Sequence, residues 1–343
     1  MRLSRTATAL AVLSACLLAP GSEPTQARNA PATTRALRAP IPPVPQQVNS
    51  RSKPLKQDKT AIIPFETAPF PYAGPIAASV QPFLNVEENG RRGHRTFFGR
   101  TYWEDETYSD NRVLLHVPKG FDIRRPSVMI VYFHGHGATL TRDVLRRQRL
   151  PAQVTASGVN AVLVAPQFAF NASDSSAGKF WQPGAFARFI GEAAQRLAQM
   201  HGDPRSVRTF ASMPIIFVAY SGGYLPAAWC ASKGGLIKRV RGVVLLDALY
   251  GELNKFASWI SADRSAFFVS TYLGSTEGKN AEMVRVLAGR EIDFGTALEP
   301  RLEPGSVTIF PGGNKANHRD LVTHAWVDYP VADLLRRLRD YRR

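Results

Sequence analysis

Ser221 is the residue around which chemistry can be built. It follows the apolar run Ile215-Ile216-Phe217-Val218-Ala219-Tyr220 and precedes Gly222-Gly223, where a helical pattern begins. A serine hydroxyl is a weak nucleophile until a base takes its proton. A strand ending in a tight turn of small residues would lift that hydroxyl clear of a sheet. The plainer use of the same serine is to cap a helix opened by glycine. A base that works near neutral pH is a histidine, and the chain has seven. His318 lies in a loop after Gly312-Gly313-Asn314-Lys315-Ala316-Asn317, and His324 lies in the partly apolar Leu321-Val322-Thr323-His324-Ala325-Trp326. Upstream, an apolar run closes on Phe133-His134-Gly135-His136-Gly137. Its glycines let the backbone bend so that N–H groups face a developing negative charge. His134 and His136 would also suit a metal, but no Asp, Glu or Cys lies close in sequence to complete such a site. Two carboxylates compete for the role of acid. Asp247 ends the run Gly242-Val243-Val244-Leu245-Leu246 and should emerge at the same sheet edge as Ser221. Glu277 follows the next apolar run through Gly274-Ser275-Thr276. The bland readings are a strand-terminal turn residue and a first-turn helix carboxylate. A short aspartate joined directly to its strand is better placed than a glutamate in a Gly-rich turn beside Lys279, so Asp247 is preferred.

Positioning these groups requires a rigid frame, and the pattern supplies one. Apolar runs at 97–102, 112–116, 128–133, 161–165, 215–219, 243–246, 267–273 and 307–310 predict strands. Helical patterns fill 140–156, 183–200, 222–231, 252–260, 281–288 and 330–341. In the second of these, Phe186, Phe189, Ile190, Ala193 and Leu197 recur at steps of three and four, which gives one buried face. Near-continuous apolar strands alternating with helices predict an α/β fold, with a mostly parallel sheet of about eight strands covered on both faces. Only residues 248–266 separate two successive strands, so no large cap domain is expected. The loop from Phe168 to Trp181, rich in aromatics with Asp174 and Lys179, leaves another strand at the same edge and is a candidate pocket wall or an anchored surface loop.

Before this domain the composition changes. Residues 1–27 read as an export signal: Arg2 and Arg5, an uncharged Ala- and Leu-rich run, then Pro20-Gly21-Ser22. That run is too short to span a bilayer as a helix. Leu13-Ser14-Ala15-Cys16 resembles a bacterial lipobox, which would lipidate Cys16. The alternative is a conventional signal cleaved after Gly21 or Ala27. Residues 28–80 read as a Pro-rich, basic, disordered linker, and 81–343 as a single catalytic domain. The chain carries 43 Lys plus Arg against 27 Asp plus Glu. Nine basic and two acidic residues within 1–60 give +7 of the +16, so the excess is largely peripheral. It suits an anionic membrane or cell-wall surface. No recognition motif accompanies the charge, so nucleic acid is not an expected partner. Two cysteines, Cys16 and Cys230, exclude a disulfide scaffold.

Ala219-x-Ser221-x-Gly223 resembles the nucleophile elbow of the α/β-hydrolase superfamily, with alanine at the first glycine. His134-Gly135-His136-Gly137 resembles its oxyanion loop. The resemblance spans roughly residues 95–343. It implies oxyanion donors at the backbone N–H of His136 and Gly222. It implies a chain order of serine, acid, histidine, which leaves His318 and His324 as bases. His318 sits just past the last strand, where the superfamily places its base, and is preferred. The acid at Asp247 is the rarer arrangement, and Glu277 lies nearer the common one. The resemblance implies an exported serine hydrolase that cleaves carboxylic esters without a cofactor, periplasmic or secreted and lipid-anchored if Cys16 is acylated. An amidase or peptidase with the same triad and a catalytically silent envelope binding protein are the alternatives.

Overall fold

The six-residue runs VMIVYF, AVLVAP and IIFVAY are rich in β-branched and aromatic residues, and every position in them is buried. Such runs can only be interior strands covered on both faces. The structure is a computed structural model that describes residues 53–343, apart from Ala78 and Phe98. The export signal expected at 1–27, Cys16 within it and residues 28–52 of the expected linker lie outside the described residues.

In chain order the described elements are β1 (Lys59–Pro64), β2 (Val86–Glu88), β3 (Arg91–Arg95), β4 (Thr101–Trp103), α1 (Glu104–Thr107), β5 (Arg112–Val117), β6 (Val128–Phe133), α2 (Leu150–Ala156), β7 (Ala161–Pro166), α3 (Ala185–His201), α4 (Val207–Ser212) and β8 (Ile215–Tyr220). There follow α5 (Tyr224–Lys233), β9 (Val240–Leu246), α6 (Leu253–Ala262), β10 (Phe267–Tyr272), α7 (Gly274–Ala288), β11 (Val307–Pro311) and α8 (Pro330–Arg336). Eight strands form one sheet in the order β1-β5-β7-β6-β8-β9-β10-β11. The pairs β1–β5 and β5–β7 are antiparallel and the others parallel. Alternate residues face opposite layers. Met129, Val131, Phe133, Phe217 and Ala219 pack with the apolar faces of α3, α5 and α6. Ile130, Tyr132, Ile216, Val218 and Tyr220 pack with α2 and α8. The mostly parallel eight-stranded α/β sheet expected from the sequence is therefore present, and the link from β9 to β10 holds only α6.

Several local expectations change. The linker expected at 28–80 does not extend through its last third: β1 forms the sheet edge against β5, and Phe65, Ala68, Phe70 and Tyr72 are buried. Their anchoring is aromatic, with Phe70 5.7 Å from Phe83 and 5.1 Å from Tyr108, which helical or strand periodicity does not signal. The strand expected at 97–102 is β4, part of a separate antiparallel sheet in the order β2-β3-β4. The helix expected at 140–156 is broken. Its first half, Leu140–Arg147, takes wide π-type turns, and Arg149 has φ of +53° before α2 starts. The helix expected at 183–200 starts at Ala185 because Gly184 is left-handed, with φ of +72°. The last helix ends at Arg336.

Candidate active site

β8 carries Ser221 to the carboxyl edge of the sheet. There the chain reverses through a single tight turn, Ser221–Gly223, into α5. Ser221 has φ of +54°, a strained value for a residue with a side chain. The turn closes because its neighbours lack side chains. A Cβ on Gly223 would lie 2.2 Å from the Phe133 carbonyl oxygen.

Asp247 leaves β9 at the same edge and is fully buried. His318 opens a short turn, His318–Val322, just past β11. Asn317 and Asp320 hold that turn: Asn317 Oδ1 accepts from the Arg319 N–H at 3.0 Å, and an Asp320 carboxylate oxygen accepts from the Asn317 N–H at 2.9 Å. The three residues form one hydrogen-bonded chain. His318 Nδ1 is 2.6 Å from Asp247 Oδ2, and His318 Nε2 is 2.8 Å from Ser221 Oγ. A carboxylate only accepts, so Nδ1 carries the proton and Nε2 is free to accept from the serine hydroxyl. Tyr220 stacks on the imidazole at 4.9 Å and an interplanar angle of 27°.

Asp247 is held from its far side by the start of α7. The Leu273 N–H donates to Oδ1 at 3.1 Å, the Ser275 hydroxyl to Oδ2 at 3.1 Å, and the Thr276 hydroxyl also to Oδ1. Burial alone would raise this pKa. The hydrogen bonds from His318, Thr276 and the Leu273 N–H outweigh it and hold the carboxyl below its ordinary value. Ser275 and Thr276 were not singled out from the sequence. Their signal was the Gly-Ser-Thr run at a helix start, where such hydroxyls commonly serve as acceptors or donors. Glu277, the rival acid, is exposed in the first turn of α7. His324, the rival base, is bound to Asp320 at 3.1 Å and to the Thr323 hydroxyl at 2.8 Å.

The glycine loop after β6 lies against the serine turn. A Cβ on Gly135 would sit 2.7 Å from Ser221 Cβ. His134 is an internal brace. Its Nδ1 faces the Gly135 carbonyl at 2.9 Å, and its Nε2 accepts from the Phe168 N–H at 2.9 Å. Burial pushes its pKa down to about 4, so the ring is neutral. With both ring nitrogens occupied by protein, His134 does not pair with His136 for a metal, and no group of metal-ligating side chains occurs among the described residues. Arg142 donates to the Gly137 carbonyl and, at 3.2 Å, to Asn171 Oδ1. The Gly137 N–H donates to the Ala172 carbonyl at 2.8 Å. The His136 ring lies against Gly222, the residue after Ser221.

The parallel sheet, the strained serine at a strand-to-helix turn and the glycine loop after the neighbouring strand give this chain the α/β-hydrolase fold. No family profile matches the sequence, and no curated protein matches it. Among solved structures, the chain is similar to a mutant of the feruloyl esterase module from Clostridium thermocellum complexed with sinapinate. Identity is 12%, coverage 78% of this chain and 96% of that one, and the TM-score 0.43. It is also similar to an S-formylglutathione hydrolase from Agrobacterium tumefaciens, at 9% identity over 69% and 92% of the two chains, with a TM-score of 0.39. A third is a thermostable esterase from Pseudomonas putida, at 12% identity over 74% and 79%, with a TM-score of 0.38.

Proposed function

We propose that the chain is an exported serine hydrolase that cleaves carboxylic esters through an acyl-enzyme. The observation that carries this reading is the continuous hydrogen-bonded chain from Ser221 Oγ through His318 to Asp247, set on a strained turn. In this reading His318 Nε2 takes the Ser221 proton as Oγ attacks the ester carbonyl carbon. Asp247 fixes the imidazole tautomer and offsets the charge that forms on the ring. The backbone N–H groups of His136 and Gly222 donate to the oxyanion. His318 then returns the proton to the leaving alcohol. In the second half, water attacks the acyl carbon, passes a proton to His318 and releases the acid and Ser221. No step calls for a cofactor. Export rests on residues 1–27, with periplasmic or secreted placement and lipid anchoring at Cys16 as the form that acylation would produce. The basic residues of the linker favour contact with an anionic membrane or cell-wall surface.

The test is a panel of acyl esters of graded chain length, with matched amides, run on wild type and Ser221→Ala. Ester turnover abolished by the substitution, with the amides much slower, supports the reading. Absence of Ser221-dependent turnover and of fluorophosphonate labelling at Ser221 overturns it.

A further inference from the structure

Two polar side chains beside Ser221 take no part in the steps above. His136 Nε2 lies 2.7 Å from Ser175 Oγ. Both stand over Gly222, where a Cβ would be 2.4 Å from His136 Cδ2, 2.7 Å from its Nε2 and 2.7 Å from Ser175 Oγ. Gly222 follows the nucleophile, so the pair borders the space the ester carbonyl must occupy. The leaving alcohol faces His318, which protonates it. Groups over Gly222 therefore meet the acyl part.

The pair is also held in place. Asp174 accepts from the Tyr108 hydroxyl at 2.8 Å and from the Ser176 N–H at 3.1 Å, which fixes the turn that carries Ser175. Tyr108 itself is fully buried. On the other side, the Gly137 and His134 contacts tie the loop of His136 to residues 168–172. Partial desolvation of the ring, opposed by Asp174, holds His136 below its ordinary pKa and so toward its neutral form, although the side chain keeps an exposed edge. A neutral imidazole and a hydroxyl can each donate or accept. If Nε2–H donates, the Ser175 proton is free for a ligand; if Ser175 donates, its lone pair is. Only a ligand hydroxyl is matched in both arrangements. An ether oxygen is matched in one, and an alkyl chain in neither, because it displaces water from the remaining donor or acceptor of Ser175 without replacing it.

We propose that His136 and Ser175 form a recognition element for a hydroxyl on the acyl chain, making short hydroxyacyl esters the preferred substrate class. This inference rests on the ester-hydrolase reading above. The test compares kcat and KM for ethyl butyrate, ethyl 2-hydroxybutyrate, ethyl 3-hydroxybutyrate and ethyl 3-methoxybutyrate on wild type, Ser175→Ala and Ser175→Thr. Wild type is expected to favour one hydroxy ester over butyrate by roughly tenfold or more in kcat/KM, with the methoxy ester between them. Ser175→Ala brings that ratio to within about threefold of unity, chiefly through KM, and Ser175→Thr restores part of it. Ser221-dependent hydrolysis of all four esters at similar efficiency overturns the inference and leaves the ester reading standing. So does a hydroxy-ester preference that survives in folded Ser175→Ala. No Ser221-dependent hydrolysis of any ester overturns both.

Discussion

Asp247 accepts four hydrogen bonds on two oxygens, and in the proposed mechanism only the one from His318 bears on chemistry. The other three keep the carboxylate in one orientation and ionised. Asparagine at this position retains the shape but can present an N–H to His318 Nδ1, which favours the tautomer with the proton on Nε2, where the base must be empty. Asp247→Asn is therefore expected to lower kcat by about 10³- to 10⁴-fold with a small change in KM, while the protein remains folded by circular dichroism. Glu277→Gln, at an exposed first-turn position, is expected to stay within about twofold of wild type in the same assay. A reversal of the two results would assign the acid to Glu277. The same linkage has a pH sign. The folded pKa of Asp247 lies below its unfolded value, so its contribution to stability is present above about pH 4 and is lost as pH falls through the folded value.

The serine turn depends on an element contact rather than on any one side chain: α5 begins where β8 and β6 are packed edge to edge. Gly223 can sit under the Phe133 carbonyl only without a Cβ, since one would stand 2.2 Å from that oxygen. Gly223→Ala is expected to displace α5, lowering the melting temperature by several degrees and abolishing activity. Gly278, inside α7, has open space around its Cα. Gly278→Ala is expected to stabilise by about 0.5–1 kcal/mol through helix propensity, with activity unchanged, as read from denaturant midpoints. The contrast separates steric demand from glycine content. The same elements show what the sequence disclosed. β6, β7, β8 and β9 were legible because continuous β-branched runs have few other uses, and their ends placed Ser221, Asp247 and the glycine loop at one edge. His318 was legible as a histidine past the last strand. The hydroxyls of Ser175, Ser275 and Thr276 were not, because what distinguishes them is a partner 28 to 39 residues away along the chain. β1 was hidden by Pro64 at its end and by Lys59 and Thr60, polar residues in a strand that only half-buries its side chains.

At the scale of the whole molecule, the basic C-terminal stretch is structural as well as peripheral. Arg336 donates to the Ala156 carbonyl at 3.3 Å, and Arg343 donates to the Thr155 carbonyl. Cations thus satisfy the last carbonyls of α2, where the helix dipole favours positive charge. Acid should loosen the molecule through its buried histidines. His134 and His116 are almost inaccessible, and burial pushes both pKa values down to about 4. The unfolded chain protonates them near pH 6.5 while the folded chain does not, so stability falls as pH drops from about 6.5 to about 4. The slope is at most about 1.4 kcal/mol per pH unit for each histidine, measurable from urea midpoints. The N-terminal segment that packs on the domain is the last such commitment. His116 receives Thr60 of β1 at 2.8 Å on one side and Thr155 of α2 at 3.0 Å on the other. Beyond β1, Phe65 packs on Phe189 at 5.5 Å, and Phe70 is enclosed by Phe83 and Tyr108. Substitutions in a free linker change stability by no more than about 0.5 kcal/mol. Phe65→Ala and Phe70→Ala in the full chain are each expected to cost about 3–5 kcal/mol, because each empties a ring-sized volume between packed aromatics. Unchanged urea midpoints for both would mean that residues 59–80 ride on the domain without being part of it.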